Sequence, residues 1–376
     1  MYKLAIIGAG RRIAPQVKEI LKNEDFALIA ICDTDIETAK KRFEDIDGIT
    51  YYTDAEQMLQ TETPDGVFIG TRCSTHTQYA CLVAKYNIPM FLEKPVCTTE
   101  EDLTKLEGIL HINEKTVVSF PLRLCSTVQR VKEILDSGRV GTPAHVQAYN
   151  NVNYGRGYYH KWYRDENETG GLLLQKATHD LDCINYLLGD LQPTTICAMT
   201  SKQVFKGDKP ADLHCADCPE KETCPEGVNN INKINGDPYE IKDLCCFSTA
   251  TGNEDSSSVL VMYENGLHVA YSQNFIVRRS AGKRGARIIS YDATLEFDLY
   301  SGEIKIIYHN EDRVETLNSN TEGSHFGGDE MLLRNFADVV RGKDISHADL
   351  ASGILSAKMC LMARKSAQTK QFYDIV

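Results

Sequence analysis

A chain of 376 residues exceeds the size at which one hydrophobic core stops growing, so two domains are expected. With 42% hydrophobic and 25% charged residues the composition is that of an ordinary globular protein, and no apolar run is long enough to span a bilayer. A formal charge of -12 opposes nucleic acid or an anionic membrane surface as a partner, so an anionic ligand must be held by a local device. The N-terminus enters a strand-like Leu4-Ala5-Ile6-Ile7 without a signal-peptide pattern, and a cytoplasmic location is expected. Thirteen cysteines are not expected to form a disulfide framework there.

Tyr2 to Ile7 is a short apolar run that enters Gly8-Ala9-Gly10-Arg11-Arg12-Ile13, after which Val17, Ile20 and Leu21 have helical spacing. Strand, glycine turn and helix form the pattern of a dinucleotide site. Gly8 permits the tight turn, Gly10 lets backbone approach a pyrophosphate, and the anion sits at the positive end of the helix. The third glycine of that fingerprint is absent, with Ile13 in its place. Leu28 to Cys32 reads as a second strand ending in Asp33, 23 residues beyond Gly10. A carboxylate at that spacing accepts hydrogen bonds from an adenosine ribose and repels a 2′-phosphate, which favours NAD over NADP.

The strand Gly66 to Gly70 runs into Thr71-Arg72-Cys73-Ser74-Thr75-His76, a polar loop suited to lie along a cofactor. After a helix carrying Tyr79, Leu82 and Val83, the stretch Asn87 to Pro95 reads as a buried strand that ends in charge. Glu93 and Lys94 fall at its carboxyl end, where open α/β sheets gather ligand contacts, and the ammonium of Lys94 is a candidate for handling a proton. Pro95 could sit on a cis peptide bond. A helix from about Glu100 to Leu110 and a strand at Thr116 to Ser119 complete the alternation, which predicts a doubly wound parallel sheet over residues 1–122.

Residues 123–376 read as a substrate-binding and oligomerisation domain. Val128, Val131, Ile134 and Leu135 form a helical stripe ending at Gly138, and Thr142 to Tyr149 has the pattern of a strand. The segment from Tyr149 to Arg164 is dense in tyrosine and asparagine, and Asn151, Tyr154, Trp162 and Arg164 are its candidates for a polar ligand. Amides satisfy hydroxyl groups in pairs, and aromatic faces cover the C–H side of a sugar ring. Leu172 to Leu188 is helical, and Lys176, His179 and Asp180 share a face on it, so that a histidine has a lysine one turn away.

Between about 201 and 242 the helix and strand patterns fail. This insertion contains Cys215-Ala216-Asp217-Cys218 and Cys224, with Cys245 and Cys246 just beyond it. Cys215, Cys218, Cys224 and Cys245 have the composition of a closed tetrahedral zinc site able to order a loop, with His214 and Cys246 as alternatives for the fourth ligand. Runs at Ser257 to Tyr263, Leu267 to Ile276, Ala286 to Tyr291, Thr294 to Tyr300 and Glu303 to Tyr308 predict a strand meander. A large open sheet with an apolar face needs a cover, and a homo-oligomer through this sheet is expected. Glu330 to Arg341 and Asp349 to Lys365 read as closing helices, with His325 in a glycine-bracketed loop that could reach an active site.

Taken together, Gly8-Ala9-Gly10, the Thr71 to His76 loop, Glu93-Lys94-Pro95, Pro121-Leu122-Arg123, and Gly170-Gly171 leading to His179-Asp180-Leu181-Asp182 resemble the Gfo/Idh/MocA oxidoreductases over nearly the whole chain. The resemblance implies a Rossmann domain followed by an α/β domain with a large open, mostly antiparallel sheet, and a nicotinamide cofactor acting on sugars, cyclitols or their derivatives. Lys94 matches the lysine of the E-K-P motif, and His179 the histidine of G-G-x(n)-D-x-G-x-H-x-x-D. The aspartate of that motif is Gln175 here and Lys176 follows it, which is similar to a branch reading Glu-Lys-Cys-Cys-His-Asp at this place.

The expected function is that of an NAD(H)-dependent oxidoreductase moving hydride to or from a sugar carbon, with Lys94, His179 and Lys176 as catalytic groups. Cofactor contacts are expected from Gly8, Gly10, Arg11, Arg12, Ile13, Asp33, Thr71, Arg72, His76, Glu93 and Lys94. Substrate contacts are expected from Arg123, Asn151, Tyr154, Trp162, Arg164, Gln175 and His179. Two alternatives share the fold: a redox-assisted glycosidase with no net change in NAD, and a non-catalytic dinucleotide-binding regulator.

Overall fold

In the computed structural model, which describes residues 1–227, 230 and 244–375, the apolar run at the N-terminus becomes β1 (Tyr2–Ile7), a fully paired strand inside a parallel sheet. Its companions are β2 (Phe26–Cys32), β3 (Thr50–Tyr52), β4 (Gly66–Ile69), β5 (Met90–Leu92) and β6 (Thr116–Val118), in the order β3-β2-β1-β4-β5-β6. Every pairing is parallel, as strand and helix alternation requires. The connecting helices are α1 (Ile13–Ile20), α2 (Ile36–Arg42), α3 (Ala55–Glu62), α4 (His76–Ala84) and α5 (Glu100–Glu107). Three of them start at a side-chain cap. Asp35 accepts from the Thr38 N–H, Asp54 from Gln57 and Thr99 from Asp102. β3, with α2 and α3 on either side of it, escapes the sequence reading; three residues give too little alternation to register as a strand.

The remaining helices are α6 (Ser126–Asp136), α7 (Glu166–Thr169), α8 (Leu172–Leu188), α9 (Gly328–Val340) and α10 (Leu350–Thr369). The chain forms two units that are discontinuous in sequence. Residues 1–133, 178–189 and 319–361 make the first, and 134–177, 190–318 and 362–376 the second. In the first unit α9 covers the parallel sheet. Phe336 meets Phe68 and Phe91 edge-on, at ring-centroid distances of 4.9 and 5.7 Å.

The second unit is built on a nine-stranded sheet. Its strands are β7 (Pro143–Asn151), β8 (Pro193–Ser201), β9 (Ser256–Tyr263), β10 (His268–Asn274), β11 (Lys283–Ser290), β12 (Ala293–Asp298), β13 (Glu303–Tyr308), β14 (Val314–Asn318) and β15 (Tyr373–Asp374). They run in the order β14-β13-β12-β11-β7-β10-β9-β8-β15, antiparallel except for the β7–β10 pair. Strict alternation holds along β9, where Val259, Val261 and Tyr263 are buried and Leu260 and Met262 are exposed. Among the described residues no helix is long and apolar enough to cross a membrane.

Ile13, the departure from the glycine fingerprint, has a structural counterpart. A third glycine normally lets helix and strand pack closely. Here the close approach is made by Gly70, directly after β4, and the Ile13 side chain fills the space above it. A Cβ on Gly70 would lie 1.9 Å from Ile13 Cγ1. Gly70→Ala is therefore expected to destabilise the first unit by about 1–3 kcal/mol through overpacking. Combined with Ile13→Ala, the double variant should lose less stability than the sum of the two single losses, because the clash and the cavity offset each other. Thermal melts of the three variants check this, and an unaltered Tm in Gly70→Ala would refute the packing account.

Candidate functional site

The glycine turn lies where the strand order reverses between β1 and β4, the place at which open parallel sheets bind ligands. Gly8 is left-handed (φ +84°), and a Cβ there would come within 2.6 Å of Thr71 Cγ2. A Cβ on Gly10 would come within 3.3 Å of the Gly70 carbonyl oxygen. At the end of β2 the Asp33 carboxylate accepts from the Ala9 N–H at 2.7 Å and the Asp35 N–H at 2.8 Å, so it is set directly against the turn. Helix α1 has no side chain capping its N-terminus; Ala14 N–H donates to Gly10 O at 3.1 Å and Pro15 has no N–H, so an anion there would meet the glycine turn itself. These features fit a dinucleotide: a cradle without side chains, an uncapped helix end, and a carboxylate at ribose distance in sequence.

At the carboxyl end of β5 the buried Glu93 precedes Lys94, and the Lys94–Pro95 peptide bond is cis. Glu93 Oε1 accepts from Arg12 Nε at 3.2 Å and from Ser119 Oγ at 3.1 Å. Arg12 then makes a two-pronged pair with Asp329 on α9, at 2.9 and 2.6 Å. Burial acts to lower the pKa of Arg12, but Glu93 and Asp329 raise it on balance. Burial likewise acts to raise Asp329, yet His325 and Arg12 hold it well below the usual carboxylate range. The loop after β4 is fastened to the same turn. His76 Nδ1 donates to the Pro95 carbonyl at 2.7 Å, its Nε2 lies 3.3 Å from the Thr71 carbonyl, and Thr77 Oγ1 donates to Val96 O at 3.1 Å. Burial depresses the pKa of His76, so the neutral ring with its proton on Nδ1 suits this place.

Three expected cofactor contacts have different work. The Arg12 guanidinium is engaged by two carboxylates, which makes it a clasp between the glycine turn, β5 and α9 rather than a ligand for phosphate. Ile13 is fully buried against Gly70, and His76 is buried between two carbonyls. Arg11 and Arg72 are exposed, and Thr71 is half-buried at the glycine turn.

Helix α8 carries His179, which is 2% exposed, into the first unit. Its ring is edge-on to Phe120 at 6.0 Å and 5.6 Å from the ring of His325. Since Ser119 bonds Glu93 and the next residue, Phe120, touches His179, the two catalytic candidates Lys94 and His179 are linked through successive residues after β6. Arg123, expected to touch substrate, instead grips Asp182 at 2.8 and 2.5 Å and donates to the His347 carbonyl at 3.1 Å. Burial pushes Asp182 up to about 6 against the pull of Arg123, so it is ionised at neutral pH. The pair anchors α8 one turn beyond His179.

In the second unit Lys176 is 3% exposed. Its ammonium bonds the Tyr154 hydroxyl and reaches the Tyr158 hydroxyl at 3.4 Å, lying 4.8 and 5.8 Å from the centres of the two rings. Gln175 is buried beside it in sequence. Asn151 Oδ1 accepts from Asn274 at 2.5 Å, and Trp162 stacks on Tyr163 at 3.8 Å. Arg164 departs from expectation. It is buried and donates to Cys245 O, Ser248 Oγ and Ala211 O at 3.2, 3.1 and 2.8 Å, so it staples the insertion and does not face a ligand. Tyr159 and His160 are core residues: Tyr159 stacks on Phe205 at 4.0 Å, and His160 Nδ1 donates to Leu244 O at 2.8 Å.

Residues 2–120 match a family described as oxidoreductase family, NAD-binding Rossmann fold, and residues 128–296 match the GFO/IDH/MocA C-terminal domain. The chain belongs to the Gfo/Idh/MocA oxidoreductases. Within this family it is 23% identical to YteT of Bacillus subtilis (strain 168), over 84% of this chain and 81% of that one. It is 24% identical to an inositol 2-dehydrogenase of Pseudomonas savastanoi pv. phaseolicola over 50% of this chain and 55% of the relative, so it matches about half the length of that enzyme. Among solved structures, an oxidoreductase domain protein from Kribbella flavida superposes with a TM-score of 0.78 at 15% identity, covering 100% of both chains. Levoglucosan dehydrogenase in complex with NADH and levoglucosan gives 0.77 at 14% identity, covering 100% of this chain and 99% of that one. These likenesses show the shared fold.

One expectation within this Gfo/Idh/MocA chain is corrected. Among the described residues no group of three or more histidine, cysteine, aspartate or glutamate side chains is placed to hold a metal ion, so the zinc site expected at Cys215, Cys218, Cys224 and Cys245 is not shown. Residues 231–243 of the insertion lie outside the described residues. The reading from sequence also missed Asp329 and the Arg123–Asp182 pair, because no local spacing connects Arg12 to a carboxylate 317 residues away.

Burial pushes His160 down to about 4 from an unfolded value of 6.5. Its stabilising contribution is therefore full above about 6.5 and is lost as pH falls from there to about 4. Asp182, raised to about 6, titrates with the opposite sign, so variant and parent must be compared directly. His160→Asn should show a smaller fall in Tm between pH 7 and pH 5 than the parent, as read by scanning fluorimetry. Equal falls would overturn the assignment.

Proposed function

We propose that the protein is an NAD(H)-linked dehydrogenase or reductase acting on a hydroxyl or keto carbon of a sugar, cyclitol or related polyol. The observation that carries this reading is the placement of Lys94. It stands at the carboxyl end of β5, in a turn tied to the cofactor loop through His76 and to the glycine turn through Glu93 and Arg12. Gly8 and Gly10, whose missing side chains open the turn, would admit a pyrophosphate, and Asp33 would receive the adenosine ribose. A nicotinamide dinucleotide, when bound, supplies the hydride acceptor or donor. Lys94 and His179 move the hydroxyl proton, a role for which a positioned acid or base typically contributes about 10²- to 10⁴-fold. In the second unit Lys176, bonded by Tyr154 and Tyr158, is a group able to bond a hydroxyl. The names of the relatives, inositol 2-dehydrogenase and levoglucosan dehydrogenase, favour a polyhydroxylated ring.

Leu260 and Met262 are 52% and 44% exposed on one face of β9, and Met199 on the adjacent β8 is 79% exposed. Such an apolar row favours cover by a second copy of the chain. Light scattering should give a mass above that of one chain of 42.1 kDa, and a mass equal to it would discard the oligomer.

The catalytic assignment is tested by Lys94→Met. Turnover on a panel of sugars and cyclitols beginning with myo-inositol and levoglucosan should fall by about 100-fold or more. NADH binding, followed by the fluorescence of the bound cofactor, should be kept. Retained turnover defeats the role of Lys94. In the unaltered protein NADPH should bind more weakly than NADH, and equal affinities would defeat the role of Asp33.

A further inference from the structure

The chain as a whole carries a formal charge of -12, yet between Asp136 and Asp165 it has four basic residues and no acidic one, and between Glu264 and Asp292 five basic residues and no acidic one. Folding lays these two stretches side by side in the second unit. Val152 N–H donates to Asn274 O at 2.9 Å, and a Cβ on Gly155 would lie 2.5 Å from Phe275 O. Asn153 Nδ2 donates to Arg279 O at 3.1 Å, and a Cβ on Gly282 would meet the same amide nitrogen at 2.6 Å. Like charges gathered in this way raise the local potential for an anion. Glu226, from the insertion, accepts from Arg278 Nη2 at 2.7 Å and lies 3.6 Å from Arg156 Nε, so one carboxylate is divided between two guanidinium groups. Arg156 Nε and Nη1 are buried without a hydrogen-bond partner among the described residues. Arg164 bonds two carbonyls and a hydroxyl, which leave its charge uncancelled. Lys283 is exposed, its ammonium 5.8 Å from the centre of the Tyr149 ring. The acids that follow the first stretch are engaged elsewhere: Asp165 caps α7, and Glu166 pairs with Arg364 at 2.9 Å.

We propose that this cationic face of the second unit receives a carbohydrate that bears a carboxylate, so that the substrate is a sugar acid and not a neutral sugar. The face adjoins the groups already assigned to substrate. Asn153, which bonds the Arg279 carbonyl, is followed in the chain by Tyr154, whose hydroxyl accepts from the Lys176 ammonium. A carboxylate is the anion this cluster already accommodates, since Arg278 and Arg156 share that of Glu226. An anionic substrate is repelled by the chain as a whole, and a local concentration of positive charge is the device that overcomes this and raises the rate of encounter. The inference rests on the dehydrogenase reading for the place of the substrate, but its binding test needs no turnover.

The test compares sugars that differ in one carboxylate: glucuronate with glucose, galacturonate with galactose, and mannuronate with mannose. Each is titrated calorimetrically into the full chain in the presence of NADH. In at least one pair the acid should bind about tenfold or more tightly than its neutral partner at low salt, and the advantage should shrink as salt rises to about 0.5 M. Lys283→Glu reverses one exposed charge of the face and should weaken the acid about threefold or more relative to the neutral sugar. Lys343→Glu, an equal change of net charge at an exposed position of the first unit, should weaken the two alike. An acid no tighter than its partner in all three pairs overturns the inference. So does an advantage that Lys283→Glu leaves intact, or one that Lys343→Glu removes equally well. If the acids bind preferentially and no sugar, acid or neutral, is turned over, the dehydrogenase reading fails while the anionic site stands. If neutral sugars are turned over and the acids neither bind nor react better, the dehydrogenase reading stands and this inference fails.

Discussion

The first unit depends on a single guanidinium. Arg12 leaves the glycine turn and is shared by Glu93, at the end of β5, and Asp329, on α9. Glu93 and Asp329 are both buried, so each needs a nearby cation, and removing Arg12 would strand two carboxylates in a medium that solvates them poorly. The consequence is geometric. The turn that would receive a pyrophosphate and the turn that carries Lys94 cannot move independently, because one side chain bonds to the residue before Lys94. Planarity and multiple donors make arginine suited to this junction, since a lysine ammonium would not pair two-pronged with Asp329 while reaching Glu93.

A second buried pair performs the same service for the histidine. Arg123 holds Asp182 by two bonds, and Asp182 lies three residues beyond His179 on α8. Phe120, just ahead of that arginine in the chain, supplies the ring edge that meets the imidazole. The side chains that link Lys94 and His179 thus come from consecutive residues, Ser119 and Phe120, after the last parallel strand. In the second unit positioning follows another logic, for the ammonium of Lys176 is cradled by phenol oxygens and aromatic faces. That environment keeps a buried cation hydrogen-bonded and leaves it beside groups able to bond hydroxyls.

Much of this was legible in one dimension. Alternating apolar runs and helical stripes report local backbone preference, so the parallel sheet, the glycine turn, Asp33 at a strand end and the charged end of β5 could all be read from residue order. In the second unit β9 to β13 were equally plain as strands, but the expected meander is broken by β7, which pairs between β10 and β11, and β14, reading Val-Glu-Thr-Leu-Asn, is an edge strand whose alternation is weak. Arg12, Arg123 and Arg164 were expected to touch ligand from their places in the glycine turn, the Pro121-Leu122-Arg123 entry and the tyrosine-rich segment, and each is bonded inside the protein. A formal charge announces that a partner is needed without saying which.

The sequence by itself determined which chemical groups are available and which secondary elements carry them, because both follow from residue type and local periodicity. Tertiary structure decided what each charge faces. Asp329 reaches Arg12 across 317 residues, Gly70 yields its space to Ile13, and Gly328 is pressed against Pro121 where no Cβ would fit. Those outcomes depend on which distant segments are pressed together, and burial turns each of them into a requirement, since a charge or a donor withdrawn from water must find its partner in the protein.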